Sequence, residues 1–414
     1  MSRRVVVVGG GQAGLTVVDS LLARGFEGHV TIVEAGNELP YQRPPLSKAY
    51  LAGTATRWGL RLRPAAYFAS ASIELLLGER LIDLDRSART IGLASGRSLV
   101  YDDLVIATGS TPRPWTGDGA ELDGLHRLHD IDDADLLRAA LVRGGSLVVV
   151  GGGFIGLEVA SLATKMGMKV TVLEAGPRLM ARSVSPRMSG FFAMLHEKNG
   201  VAVRCSVAVS GFVGTRRVEG VRLQDGEILP TDLVVLGIGS RPALDGEPLC
   251  LATAPDGSLI VDGSLRTSDP HVFACGDTVS FRHDGRRVRL ESVQNATDQA
   301  RQVAATIMGA SSDYQAVPWF WTEQHGVKLQ TAGLTDQADE WVLRGDPDCG
   351  RWSVFAFRDG VLVGSESVGA VSDHIATRSL LRTAAPVSTA EVADPDFDLK
   401  ARASRATELV KESQ

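Results

Sequence analysis

No two cysteines in this chain stand close together in sequence. Cys205, Cys250, Cys275 and Cys349 form no CxxC pair and no zinc-knuckle or iron–sulfur spacing. They read as buried or incidental thiols. The eight histidines show no metal spacing either, His325 and His374 reading as surface or core positions, so no metal is expected. Neither a GxSxG elbow nor an HExxH helix occurs, which removes the hydrolase and zincin readings. Long apolar runs are also missing, none approaching the ~20 residues of a membrane helix. The start, MSRRVVVVGGGQ, offers only four apolar residues before the glycines, where a secretion signal needs roughly 7–15. A net charge of −6 over 414 residues is too mild to suggest nucleic acid or an anionic membrane as a partner. The expectation is a cytoplasmic globular protein, monomer or homodimer, of two or three domains at about 150 residues each.

What the chain has instead is a repeat. Residues 5–36 read VVVVGGGQAGLTVVDSLLARGFEGHVTIVEAG, and residues 147–176 read LVVVGGGFIGLEVASLATKMGMKVTVLEAG. Each copy is a valine-rich strand buried on both faces, a glycine turn, a helix-spaced apolar stretch and a second strand, which is a βαβ unit. A further pair, LVYDDLVIATG (99–109) and ILPTDLVVLGIG (228–239), also matches as apolar strands ending in small residues. The segment 291–308 reads as one long helix. From Pro318 the pattern changes to clustered aromatics and short alternating runs, Arg351 to Phe357 and Val361 to Gly364, which predict antiparallel strands. The stretch after Pro386 is polar and is expected to be peripheral. The fold class is therefore α/β, with two Rossmann-like dinucleotide-binding domains plus a C-terminal α+β domain, an arrangement that resembles glutathione reductase. The expected boundaries are 1–111 with 242–317, then 112–241, then 318–414.

Gly9, Gly11 and Gly14 form GxGxxG directly after a strand. The first glycine permits the turn, the second lets the backbone approach a pyrophosphate, and the third lets helix and strand pack. Glu34, at the end of the second strand, is placed to accept hydrogen bonds from ribose hydroxyls. Gly151, Gly153 and Gly156 repeat the fingerprint, and Glu174 repeats the acid. A carboxylate there repels the 2′-phosphate of NADP, although Arg178 and Arg182 follow shortly, so NAD is expected. The TSDPHVFACGD segment ends in Asp277, an acid that could hold the ribityl hydroxyls of a flavin. With the Ala107-Thr108-Gly109 turn, it makes FAD the expected occupant of the first site.

These motifs, together with PYQRPPLSKAYL (40–51), ATGS (107–110), ESVQNATDQA (291–300) and PWFW (318–321), resemble the FAD-dependent NADH:ferredoxin reductases of bacterial oxygenases and cytochromes P450. Rubredoxin reductases and apoptosis-inducing factor are more distant relatives and the alternative readings. The resemblance implies FAD and NADH as cofactors and a 2Fe–2S ferredoxin as partner. It implies an FAD set of Gly9, Gly11, Gln12, Ala13, Gly14, Glu34, Arg43, Pro44, Lys48, Leu81, Ala107, Thr108, Gly109, His129, Asp277 and Val293. It implies an NAD set of Gly151, Gly153, Phe154, Ile155, Gly156, Glu158, Glu174, Arg182, Gly237, Ile238 and Gly239. Lys48 would lie near the reactive flavin edge, Glu158 would face it, and Trp321 would lie close to the two rings. These three are the expected catalytic group. A buried carboxylate at Glu158 needs a cationic partner, and Lys48 supplies one. Trp319 and Phe320 read as core at a domain junction. Disulfide reductases of the same superfamily carry redox cysteines about where Tyr41, Gln42 and Arg43 stand, so that chemistry is not expected here. Arg57, Arg61 and Arg63 are candidates for docking an acidic ferredoxin.

One position departs from the resemblance. Relatives often carry an arginine on the FAD phosphates where this chain has His129, which is mostly uncharged at neutral pH. FAD retention is therefore expected to be weaker or pH-dependent. Comparing FAD retained after dialysis at about pH 6 and about pH 8 tests this, and equal retention contradicts it.

Overall fold

A computed structural model describes residues 2–69, 72–244 and 249–412. The chain divides into two compact units: Met1–Arg43, Thr56–Thr111 and Ser240–Ala316 form one, and Pro44–Ala55, Pro112–Gly239 and Val317–Gln414 form the other.

The first unit is built on a parallel sheet in the order Val272–Ala274, Asp103–Ile106, Arg4–Val8, His29–Glu34, Ile73–Leu77. The valines of the central strand are 0–5% exposed, as a strand covered on both faces requires. Its last residue, Val8, lies opposite Val33 on one side and Ile106 on the other. The helix Gln12–Ala23 follows at once and packs against the long helix Val293–Ile307.

The second unit repeats that plan. Its parallel sheet runs Val201–Cys205, Lys169–Glu174, Ser146–Val150, Leu233–Leu236, Leu125–His126. Val150 lies opposite Leu173 and Leu236, the counterparts of Val33 and Ile106. The helix Phe154–Lys165 starts at the same point as its counterpart. The two look-alike segments, 99–109 and 228–239, thus supply the same neighbouring strand in the two copies.

The C-terminal part is a five-stranded antiparallel sheet in the order Trp319–Gln324, Val327–Gly333, Val361–Val368, Arg351–Arg358, Glu340–Asp346. It shares one apolar cluster with the second nucleotide fold, in which Leu329, Trp352 and Val354 lie with Leu157, Met188 and Phe192. That continuous burial places both within one compact unit.

Two expectations need correction. The segment Pro44–Ala55, expected within the first nucleotide domain, packs in the second unit: Leu51 is buried with Leu137, and Tyr50 Oη donates to Asp135 at 2.6 Å. The stretch after Pro386 is not peripheral. Helices Thr389–Ala393 and Leu399–Glu412 bury Val392, Leu399 and Ala403 against Phe355, Phe357 and Leu380. These apolar residues are sparse in a polar segment, which is why composition missed them.

Within the sheet, Glu366 is fully buried and accepts from the Ser185 N–H at 2.7 Å and the Ser185 hydroxyl at 2.6 Å. Ser185 caps the helix Pro186–Lys198, so one carboxylate ties the sheet to the nucleotide fold. Burial pushes the Glu366 carboxyl up to about 7, against the opposing pull of the Ser185 hydrogen bonds. A folded value above the unfolded one means that the native state binds the extra proton, so stability falls as pH rises from the ordinary carboxylate range towards neutrality. Replacing Glu366 by Gln should flatten that part of the thermal-midpoint profile between about pH 5 and about pH 8, measured by calorimetry.

Candidate functional site: two nucleotide cradles

Each fingerprint turn is closed by backbone that approaches too tightly for any side chain. A Cβ on Gly9 would stand 2.2 Å from the Ala107 carbonyl oxygen, and one on Gly151 would stand 2.3 Å from the Gly237 carbonyl oxygen. Both glycines also adopt left-handed φ, +106° and +107°, which disfavours a Cβ independently. Gly14 and Gly156 repeat the pattern one helical turn on, where a Cβ would meet the carbonyl oxygens of Gly9 and Gly151 at 1.8 and 2.5 Å.

Gly11 and Gly153 are different. Nothing lies within 4 Å of where a Cβ would stand on either, and their φ values of −70° and −84° are ordinary. Each is the N-cap of its helix and offers no side-chain acceptor to the first helical N–H groups. By contrast Asp130, Ser185, Ser292 and Ser388 cap their own helices. The fingerprint helices therefore present open N–H groups and a positive dipole end to an anion. A dinucleotide pyrophosphate fits both places.

The acids repeat as closely. Glu34 accepts from the N–H groups of Gly10 at 2.6 Å and Gly36 at 2.8 Å; Glu174 accepts from those of Gly152 at 2.7 Å and Gly176 at 2.6 Å. Each carboxylate is thereby fixed at the end of its strand with lone pairs left for ribose hydroxyls.

In the first unit the structure also gathers Ala107, Thr108, Gly109 and Asp277. The Ser110 hydroxyl donates to Asp277 at 3.2 Å. Burial raises the Asp277 carboxyl to about 7, with Glu291 pushing the same way and Arg289 and Arg43 opposing. Its oxygens offer hydrogen-bonding partners to hydroxyl groups, which suits a polyol chain. Ala13 lies under the Gly276 turn, where a Cβ on Gly276 would stand 3.1 Å from its methyl group. Gln12 reaches Thr16 and Thr297, each at 3.3 Å. Val293 opens the long helix, whose Asn295 N–H is already taken by Ser292. Arg43 lies 5.9 Å over the Tyr41 ring. Leu81 is buried in the core.

Pro44, Lys48 and His129, expected on the FAD side, belong to the second unit. His129 donates its backbone N–H to Asp133 at 3.1 Å. Lys48 and Glu158 do meet, at 2.6 Å. Glu158 is 4% exposed and accepts also from the Ser47 hydroxyl and, at 2.7 Å, from the Thr322 hydroxyl. The two hydroxyl donors escaped sequence reasoning although each stands inside or beside a quoted motif, Ser47 in RPPLSK and Thr322 after PWFW. Trp321 packs beside Trp319, ring centroids 5.6 Å apart and planes tilted by 31°, and Phe320 packs on Phe154 at 4.6 Å. Trp319 and Phe320 are only half-buried rather than core. Trp319 carries the Arg378 guanidinium 4.6 Å over its ring. At the Gly239 turn a Cβ would stand 3.8 Å from Arg182 Nη2. Arg178 is engaged elsewhere, donating to the carbonyls of Val184 and Ala181 at 2.7 and 2.8 Å. Ile155 is 47% exposed at the mouth of the second cradle.

All four cysteines are free, and burial pushes the Cys275 thiol up to about 12, so it is inert as a thiolate. His129, Asp130 and Asp133 lie close enough together to meet a cation, but exposed acids commonly cluster without one.

The glycine geometry separates folding from binding. Gly11→Ala and Gly153→Ala should fold with stability within about 1 kcal/mol of the parent. The first should lose FAD absorbance. The second should keep it but raise the KM for NADH at least about tenfold. Gly9→Ala should fail to accumulate as folded protein. Thermal melts, visible spectra and steady-state kinetics read the three outcomes.

Residues 3–300 match the Pyridine nucleotide-disulphide oxidoreductase family, and residues 319–403 match the Reductase C-terminal family. The rhodocoxin reductase of Rhodococcus erythropolis is 43% identical over 99% of this chain and 96% of its own length. The ferredoxin reductase for the CYP199A2 system from Rhodopseudomonas palustris superposes with a TM-score of 0.94 at 40% identity, covering 97% of this chain and 99% of that one. The reductase of the covalent putidaredoxin reductase–putidaredoxin complex superposes with a TM-score of 0.93 at 35% identity, over 98% and 99% of the two chains. With two glycine cradles, a Reductase C-terminal sheet and relatives that match along its whole length, the chain belongs to the ferredoxin reductase group of the pyridine nucleotide-disulphide oxidoreductase family.

Proposed function

We propose that this chain takes a hydride from NADH and delivers the two electrons singly to a 2Fe–2S ferredoxin serving a cytochrome P450 or ring-hydroxylating oxygenase. Overall, one NADH and two oxidised ferredoxins give NAD⁺, a proton and two reduced ferredoxins. The observation that carries the reading is the pair of open glycine cradles in a chain whose four thiols are all unpaired. FAD, when bound, supplies the conversion between two-electron and one-electron chemistry. The chain's own residues bind and orient. Gly9–Gly14 and Asp277 hold the flavin nucleotide, Gly151–Gly156 and Glu174 hold NADH, and Lys48 with Glu158 and Trp321 forms the group that aligns the hydride donor. No cysteine relay takes part.

Glu174 supports NADH over NADPH, because it holds negative charge at the ribose while Arg178 is committed to backbone carbonyls. On this reading the protein works in the cytoplasm beside its NADH supply. Among the described residues no helix is long and apolar enough to cross a membrane.

The docking candidates are less basic than their sequence suggests. Arg57 pairs with Glu38 and Arg63 with Asp19, each at 2.7 Å. Trp58, 72% exposed and next to Arg57 in the chain, adds the kind of aromatic surface that protein interfaces favour. Arg61→Glu should raise the KM for ferredoxin and flatten its salt dependence more than the same change at Arg57 or Arg63.

Steady-state reduction of 2Fe–2S ferredoxins and rubredoxins with NADH and with NADPH tests the whole proposal. NADH should exceed NADPH in kcat/KM by at least about tenfold, and Glu174→Gln should narrow the gap. Failure to reduce any ferredoxin, or faster reduction of rubredoxin, overturns the partner assignment.

A further inference from the structure

Glu158 is the end of a longer chain of polar groups than its direct donors reveal. Thr322 Oγ1 lies 2.7 Å from Glu158 Oε1, and Gln324 Nε2 lies 3.3 Å from Thr322 Oγ1. His196 Nε2 lies 2.9 Å from Gln324 Oε1, and His325 Nε2 lies 3.0 Å from His196 Nδ1. Thr322, Gln324 and His196 are fully buried. His325 sits half-buried in the turn between strands Trp319–Gln324 and Val327–Gly333. Its backbone is in the left-handed region at φ +51°, and its N–H donates to the Ser161 hydroxyl at 2.7 Å. Ser161 lies one helical turn beyond Glu158 on the same helix, so both ends of the chain of contacts are fixed to that helix.

With both imidazoles neutral, one arrangement of protons satisfies it. A carboxylate accepts only, so the Thr322 hydroxyl donates to Glu158 and must itself accept. The Gln324 amide therefore turns its NH₂ to Thr322 and its oxygen to His196. That oxygen requires a proton on His196 Nε2, which leaves His196 Nδ1 to accept from His325 Nε2–H. Each imidazole then holds one proton. Burial pushes both below their ordinary range, His325 to about 4 with His196 and Lys165 adding to the shift, so both are neutral near pH 7. Every donor points towards Glu158.

We propose that His325, His196, Gln324 and Thr322 are positioning residues that act as one polarised relay, fixing the Thr322 hydroxyl on Glu158 and hence Glu158 against Lys48 for hydride transfer. The inference rests on the reading of Glu158 as part of the hydride-transfer group. Bulk packing does not require this order of groups. Gln324 could fill its space with either amide orientation; Glu158, through the Thr322 hydroxyl, selects the one that turns the amide oxygen to the histidine pair, and the pair holds it there by donating from His196 Nε2. The relay also joins the helix Pro186–Lys198, the C-terminal sheet and the fingerprint helix at a single carboxylate.

The test uses FAD-loaded protein and stopped-flow reduction by NADH, which gives a limiting rate and a dissociation constant separately, with thermal midpoints recorded alongside. Gln324→Glu puts a second acceptor in the relay and draws the Thr322 proton away from Glu158. Thr322→Val removes that proton, and Thr322→Ser keeps it. Both Gln324→Glu and Thr322→Val should lower the limiting rate about tenfold while leaving the NADH dissociation constant within about twofold. The double variant should be no slower than Thr322→Val alone, and Thr322→Ser should restore the rate. If Gln324→Glu does not load FAD, His325→Asn, which tolerates the positive φ, should give a smaller loss that likewise vanishes in the Thr322→Val background. Losses that multiply in the double variant, or a fall in thermal midpoint with an unchanged rate, overturn the relay. Glu158→Gln distinguishes the two levels. A parent-like rate in that variant refutes the role of Glu158 itself, whereas a slow Glu158→Gln beside a parent-like Gln324→Glu refutes only the relay.

Discussion

A glycine pressed against a carbonyl oxygen is the contact on which both halves of this molecule depend. Gly9 meets the Ala107 carbonyl and Gly151 meets the Gly237 carbonyl, and in each case the neighbouring strand could come no closer. This contact brings the helix N-terminus, the strand-end acid and the crossover turn to one edge of a parallel sheet, where open α/β sheets bind ligands. The acids confirm the equivalence of the two copies. Glu34 and Glu174 each bind the N–H of the residue just after the first fingerprint glycine, Gly10 or Gly152, and that of the glycine two residues beyond themselves. The duplicated geometry makes one chain a holder for two dinucleotides, and the absence of paired thiols leaves electron transfer to the cofactors they carry.

Glu158 shows how a costly group is kept in such a fold. A carboxylate on a fingerprint helix, 4% exposed, is tolerable only if its lone pairs are filled. Lys48, Ser47 and Thr322 fill them. The donors come from two other segments of the second unit, so the cost of burying one charge also fixes those segments to the helix. Glu366 has the same logic without a cation: Ser185 donates to it at two atoms and the Thr335 hydroxyl at 3.4 Å, and its raised carboxyl range reflects desolvation outweighing those bonds.

Much of this was legible in the sequence because glycine spacing and valine runs state backbone requirements directly. The fold class and the duplicated βαβ plan followed from them, as did the expectation that Glu158 needs a cation and that Lys48 is available. The rest lacked a pattern. Ser47, Thr322 and Gln324 act through single hydroxyl or amide groups, which no periodicity marks, and His196 and His325 meet only in three dimensions. The migration of Pro44–Ala55 into the second unit depends on Leu51 and Tyr50, two residues in a loop whose motif pointed to the other side. The tail was misjudged because Val392, Leu399 and Ala403 are few among many polar residues. Arg57 and Arg63 looked like free cations only because Glu38 and Asp19 are distant in sequence.

The central claim is that two nucleotide cradles suffice and no thiol pair shares the electrons. Anaerobic titration of the FAD-loaded protein with NADH, with thiols counted at each step, addresses it most directly. One equivalent of NADH per FAD should abolish the oxidised-flavin absorbance while the number of reactive thiols stays constant. A second equivalent needed for full bleaching, with new thiols appearing as it is consumed, would contradict the account.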